Sequence, residues 1–245
     1  AEHLFFRHRR HFDVTDNASS QMYIGLTASE PAVRAVAATT GVVLAYHDHL
    51  VPGYYSSCCG GLPARAIDAI GENPINAMPP LDGTQRDACC TSSPTFRWTH
   101  QRRTDRASAR IRTFARRLRI ERLAELERLE AIDVAERNPH DRPISYHVRG
   151  VGPTGTVEGV LSADRLRIAL DFPVFGWKRP RPPMWSGFVD CTFSGGDIVI
   201  AGRGHGHGVG LCQYGAEALA RNGHDAFAIL RTYYPSVGFA TIPRA

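Results

Sequence analysis

No apolar run in this 245-residue sequence approaches the roughly eighteen residues that a helix needs to cross a bilayer. A secretory leader is missing too: the opening residues AEHLFFRHRRHF carry charge throughout and have no apolar central stretch. The chain lacks an initial Met and reads as processed or cut, so the missing leader says little about its compartment. There is no internal repeat and no low-complexity tract. The pattern G-x-x-x-x-G-K is absent, which excludes a P-loop. Neither vicinal cysteine pair has the C-x-x-C spacing of a strong zinc knuckle.

What is present is the composition of an ordinary globular protein, 43% hydrophobic and 22% charged, long enough for one large domain or two small ones. The formal net charge is +5. Such a charge attracts nucleic acid, anionic membranes or anionic wall polymers without choosing among them. Much of it sits in the run from Arg102 to Arg122, which reads as a solvated helix face. Glutamates crowd that run from Glu121 onward and no nucleic-acid motif accompanies it, so no nucleic-acid partner is expected. Six cysteines occur as Cys58-Cys59, Cys89-Cys90, Cys191 and Cys212. Vicinal cysteines do not readily bond to each other, so a disulfide between the first pair and the second is the favoured reading, in keeping with an oxidising compartment. The alternative is a zinc site made by Cys58, Cys59, Cys89 and Cys90. Otherwise no cofactor is expected.

Along the chain, residues 1–11 read as the end of a helix and TDNASSQ as a turn. A short helix is expected from Ser29, with Pro31 in its first turn. Val42 to Tyr46 reads as a strand, with a second strand running into Tyr54-Tyr55. Residues 60–100 form a long loop that the cysteine pairs could pin. From Thr104 to about Leu129, Ile111, Phe114, Leu118, Leu123, Leu126 and Leu129 recur at near-helical spacing, which predicts an amphipathic helix or helix pair. Period-two alternation at Ile144, Tyr146 and Val148 then predicts a strand, with a hairpin turn at Gly150 to Gly155. Ser162 caps a short helix to Leu170. Strands follow near Phe188 to Phe193 and from Asp197 to Ile200, then helices over Gln213 to Asn222 and Ala226 to Tyr234. The class is α+β, with antiparallel strands and hairpins and segregated helices.

The most informative stretch is GRGHGHGVGLCQYGA, Gly202 to Ala216. Its alternating glycines permit positive φ and close approach to a ligand, and a helix opens directly after them. Exposed N–H groups there would suit an anionic or polyhydroxylated ligand. Together with GHDAFAILRTYYP, this segment resembles the C-terminal signature of the SpoIID family, which includes the amidase enhancers called LytB. Gly202, Gly204, Gly206, His207, Gly208, Gly210, Gln213, Tyr214, Gly215 and Ala216 fit the family pattern, while His205 stands where an aromatic residue is usual. Upstream, Asp13-Val14 with Gln21, Tyr23 and Gly25 resembles the family's substrate-cleft segment. Tyr55, Ser57, Cys59, Gly60 and Gly61 resemble its strand-to-loop motif, and Cys89 to Trp98 a cysteine-bearing loop of some members. The likeness runs through most of the chain, as one domain over 1–245 with a helical insertion at about 101–130.

The resemblance implies a glycan-binding cleft and a peptidoglycan lytic transglycosylase. Such enzymes cleave the bond between N-acetylmuramic acid and N-acetylglucosamine in glycan strands. One glutamic acid protonates the leaving oxygen and then acts as base while the muramyl 6-hydroxyl attacks, giving a 1,6-anhydro end. This is a one-carboxyl variant of glycoside cleavage, and its acid needs a raised pKa. The substrate-binding residues implied are Gln21, Tyr23, Ser57, His205, His207, Gln213 and Tyr214. The family's glutamate, however, matches a position before residue 1; Glu2 falls too late, and Asp13, Asp16 and Glu30 do not correspond to it. The alternative is therefore a non-catalytic wall-binding or amidase-enhancing module, working beside a cell-wall hydrolase such as an amidase. Either role implies an extracytoplasmic place in the cell envelope. His205 and His207 as zinc ligands, and Cys212 as a nucleophile with His207 as base, are lesser alternatives.

Overall fold

A computed structural model describes residues 29–84 and 88–242. The helix expected at 1–11, the TDNASSQ turn, and Gln21 and Tyr23 lie outside the described residues. The chain divides into two compact units, one holding residues up to Val42 and from Thr241 onward, the other Val43–Ala240. In the first unit, α1 (Glu30–Ala38) begins with Pro31 in its opening turn, carries a 2.9 Å Glu30–Arg34 ion pair, and buries none of its residues. Among the described residues no helix is long and apolar enough to cross a membrane.

After α1 come the hairpin of β1 (Val42–Tyr46) and β2 (His49–Leu50), then β3 (Tyr55–Ser56) and the single turn α2 (Ala66–Ala69). After two 3-10 turns come β4 (Arg97–Arg103), α3 (Thr104–Leu118) and a 3-10 turn at Arg122–Glu125. An antiparallel meander follows, β5 (Arg128–Arg137), β6 (Pro143–Gly152) and β7 (Gly155–Ser162), closed by α4 (Ala163–Leu170). The chain then builds β8 (Val189–Ser194) and β9 (Asp197–Arg203), the short β10 (Leu211–Cys212), helices α5 (Gln213–Arg221) and α6 (Ala226–Tyr233), and β11 (Gly238–Thr241). The sheet orders are β11-β1-β2, β4-β9-β8 and β5-β6-β7, with β10 beside β3. The pairs β1–β2, β4–β9, β5–β6, β6–β7 and β8–β9 are antiparallel, and β10–β3 is parallel. The α+β class with hairpins and segregated helices is therefore the observed one.

Two strands depart from the sequence pattern. β4 points Trp98 and His100 inward from a run of arginines, so the period-two signal rests on one aromatic and one histidine. In β5 the pairing shifts register between Leu129 and Ala131. That irregularity puts the inward residues Leu129 and Ile132 three apart, a spacing that imitates a helix. The helix itself stops at Arg119, which adopts the left-handed conformation at φ 56°. Leu123 and Leu126 are buried from the 3-10 turn and the chain leaving it.

Burial falls into two clusters. The first lies among β4, β8, β9, the meander, α3 and α4, with Ile111, Phe114, Leu123, Leu126, Tyr146, Leu161, Leu166 and Ile198 at its centre. The second adds sulfur and phenol to its aliphatic residues: Cys58, Cys59, Cys90 and Cys212 pack with Val51, Leu81, Val209, Ile229, Tyr233 and Tyr234. The arginines of α3 mostly serve the fold. Arg110 donates to the carbonyls of Phe172 and Lys178, Arg112 to that of Leu126 and Arg116 to that of Ala124.

Candidate functional site

The glycine-histidine loop runs from β9 to α5 and is stitched to three other segments. His205 and Cys58 form an antiparallel bridge, exchanging N–H to carbonyl bonds of 2.8 and 3.2 Å. The Gly204 N–H donates to the Thr95 carbonyl, the Gly206 N–H to that of Trp185, and the Leu211 N–H to that of Tyr54. The Trp98 indole N–H donates to the Gly204 carbonyl at 2.9 Å. The loop's amides are thus largely spent on the protein, whereas the glycine pattern suggested N–H groups open to a ligand. The reason is geometric: alternating glycines let neighbouring strands and rings come close enough to take those bonds themselves. At Gly208, φ is +81° and a Cβ would stand 2.7 Å from the Arg142 guanidinium. At Gly202 a Cβ would stand 2.1 Å from the Trp98 ring.

Arg142 comes from the turn between β5 and β6 and is 4% exposed. It donates to the carbonyls of Cys59 and Leu62 at 2.7 and 2.8 Å, and its guanidinium stacks on Phe188. Burial pushes its pKa down from the ordinary arginine value. Its turn is anchored in the same place, since Asn138 donates to the Pro63 carbonyl and accepts the Arg142 N–H. Nothing in the local sequence marks this arginine, because its partners are main-chain carbonyls about eighty residues earlier.

His205 and His207 differ in role. His205 is exposed, with Trp185 alongside at 6.5 Å between ring centroids. The buried His100 and Trp98 meet Trp185 edge to face, with ring centroids 5.1 and 5.7 Å from it. His207 is half-buried and accepts the Val209 N–H on Nδ1 at 3.0 Å, which puts its proton on Nε2. Burial first, then the Arg142 charge, lower its pKa to about 4. Ser57 is half-buried, and its carbonyl receives the Tyr214 N–H at 3.2 Å. Gln213 is exposed and Tyr214 half-buried on the first turn of α5. Ser57, His205, His207, Gln213 and Tyr214 are therefore carried by segments hydrogen-bonded to one another. Of the three tryptophans, Trp98 is buried and Trp177 lies under Arg106, while Trp185 adjoins the loop. Its place beside His205 has no short-range signal in the sequence.

Beneath the loop, the sulfurs of Cys58, Cys90 and Cys212 all lie within 4.8 Å of one another. The Cys59 sulfur is 3.7 Å from that of Cys90, and the Cys59 N–H donates to the Cys212 sulfur at 3.3 Å. A disulfide needs about 2.05 Å, so the expected bridge between the two vicinal pairs is not formed at these distances. The expected zinc set also changes membership: Cys212 joins Cys58 and Cys90 as the converging sulfurs, while Cys59 and Cys89 are outside that group, the Cys59 sulfur meeting it at the Cys90 edge. Hydrogen bonds from Cys212 and Cys90 hold the Cys58 thiol well below its ordinary pKa, and the same bonds raise Cys90 and Cys212 as donors. Cys212 is 1% exposed and raised, and Nδ1 of His207 is occupied by Val209, an arrangement unlike a nucleophile and its base.

No family model matches the chain. Among curated proteins, it is 24% identical over 255 residues to the amidase enhancer of Bacillus subtilis (strain 168), covering 91% of this chain and 34% of that protein. It is 26% identical over 232 residues to an uncharacterized protein of Brachyspira hyodysenteriae, covering 92% of this chain and 53% of the relative. Stage II sporulation protein D of Bacillus amyloliquefaciens is 36% identical over 73 residues, 30% of this chain and 17% of that protein. The chain thus spans about a third and about a half of the first two relatives' lengths. Relatives with these names support the SpoIID/LytB-like resemblance carried by the glycine-histidine loop.

Proposed function

We propose that this chain is the glycan-holding body of a peptidoglycan lytic transglycosylase of SpoIID type, working outside the cytoplasm in the cell envelope. A cell-wall role is the coarser part of this reading, supported by the relatives named amidase enhancer and stage II sporulation protein D. The observation that carries the finer part is the stitched loop. It presents exposed His205 beside Trp185, with Gln213 and Tyr214 on the helix it feeds. A half-buried indole offers an apolar face to a sugar ring, and histidine, glutamine and phenol groups offer hydrogen bonds to its hydroxyls and acetamido groups. Gln21 and Tyr23 are assigned to the same cleft by the resemblance alone.

The resemblance alone assigns the general acid to an upstream position, so the test compares this chain with a version extended upstream. Peptide-stripped glycan strands are incubated with each and the products read by mass spectrometry. Anhydro-muramyl ends from the extended form establish the transglycosylase. Strand binding without such ends from either form favours the second reading, a non-catalytic module that assists a wall amidase, for which the name of the amidase enhancer speaks. Absence of both cleavage and binding overturns the glycan assignment. Trp185→Ala is expected to weaken strand binding about tenfold, or ~1.4 kcal/mol, with the fold retained.

A further inference from the structure

We propose that the buried sulfur cluster is a metal site in which Cys58, Cys90 and Cys212 hold one soft divalent ion of the zinc class, Cys59 turning in from beside Cys90 as the fourth thiolate. This rests on geometry independent of the glycan reading. Four sulfurs at ~2.3 Å from a tetrahedral zinc stand about 3.8 Å from one another. The Cys59–Cys90 separation is 3.7 Å, and Cys58, Cys90 and Cys212 lie mutually within 4.8 Å. All four residues are at most 5% exposed, as in a closed structural site. The Cys59 N–H aimed at the Cys212 sulfur is the kind of outer contact that orients a thiolate ligand.

Charge decides between metal and disulfides. Four thiolates around a divalent cation carry a net charge of about −2. Two guanidinium groups lie beside the cluster: Arg142 donates to the Cys59 carbonyl at 2.7 Å, and an Arg203 guanidinium nitrogen would stand 3.2 Å from a Cβ on Gly61, two residues after Cys59. The ion pairs among the described residues include neither arginine, although Asp190 also faces Arg203. The Arg203 Nε is buried without a hydrogen-bond acceptor. Disulfides are neutral and would leave the buried Arg142 without a counter-charge, whereas a metal tetrathiolate supplies one. Its ligands come from the β3 loop, the loop before β4, and the step into α5. The ion would therefore tie together the segments that carry the glycine-histidine loop. Binding releases the thiol protons to solvent, so it strengthens as pH rises.

The test uses the whole chain, purified under reducing conditions, with metal measured by elemental mass spectrometry and the apo form titrated with cadmium. The expected result is one ion per chain and a cadmium–thiolate charge-transfer band that saturates at one equivalent. Cys90→Ser and Cys212→Ser should each weaken cadmium binding at least about tenfold, while Cys191→Ser, in the other core, leaves it unchanged. The wild-type titration needs no variant to fold. Absence of a saturating band in the reduced wild-type chain overturns the proposal. So does stoichiometric binding that survives both serine variants, or peptide mapping that finds these cysteines disulfide-bonded in the native protein.

Discussion

At His207, a motif position and a physical role coincide. The imidazole is neutral in the fold because burial and the Arg142 charge lower its pKa to about 4, against roughly 6.5 for an unconstrained histidine. Between those values the unfolded chain binds more protons than the folded one, so stability is full above about pH 6.5 and falls as pH drops toward 4. The loss amounts to about 3 kcal/mol at most. His207→Asn keeps an acceptor for the Val209 N–H and removes the titration, so its melting temperature should fall less steeply over that pH range in calorimetry. Arg142 is the complementary case. Arg142→Met strands the carbonyls of Cys59 and Leu62 and should cost about 3 kcal/mol in denaturant unfolding. Arg142→Lys should recover only part of this, because a point charge cannot reproduce the guanidinium fork. The histidine was legible in the sequence because its motif is local. The arginine was not, because it resembled every other arginine in a basic chain.

The elements legible from sequence were those with signals within one turn or one strand. Ser162 accepts the Arg165 N–H as the expected cap of α4, and Ser162→Ala should lower stability by about 1 kcal/mol. The alternation at Tyr146 and Val148 is β6, and the Gly195-Gly196 step joins β8 to β9. β4 and β5 were hidden for opposite reasons, one by inward histidine in place of an aliphatic residue, the other by a shifted register. The exposed-amide reading of the glycine loop failed because long-range pairing consumes the donors. Gly202 belongs to that pairing: its backbone is covered by Trp98, and Gly202→Ala drives a methyl group into the indole. Thermal unfolding of that variant should show a loss of about 1–3 kcal/mol, with changed Trp fluorescence.

Across the Val43–Ala240 unit, the two clusters differ in what holds them. The sheet-and-helix core is built from branched and aromatic side chains, while the other mixes aliphatic residues with four cysteines and with tyrosines wedged against glycines. Hydrogen exchange on the reduced chain should show amides of β6 and β9 protected with or without chelator. Amides of residues 58–62 and 204–212 should exchange faster once metal is removed. Equal protection in both states would separate loop order from metal. The net charge of +5 should make binding to anionic wall polymers weaken with salt, since exposed charges are screened over about 8–10 Å at physiological ionic strength. The Asn138–Arg142 turn has one further consequence. The segment from α3 to α4 belongs to the sheet-and-helix core, yet its middle turn supplies the guanidinium that Cys59, Leu62 and Gly208 are built around. Grafting the loop onto a relative without that turn would transplant the motif and leave behind its keystone.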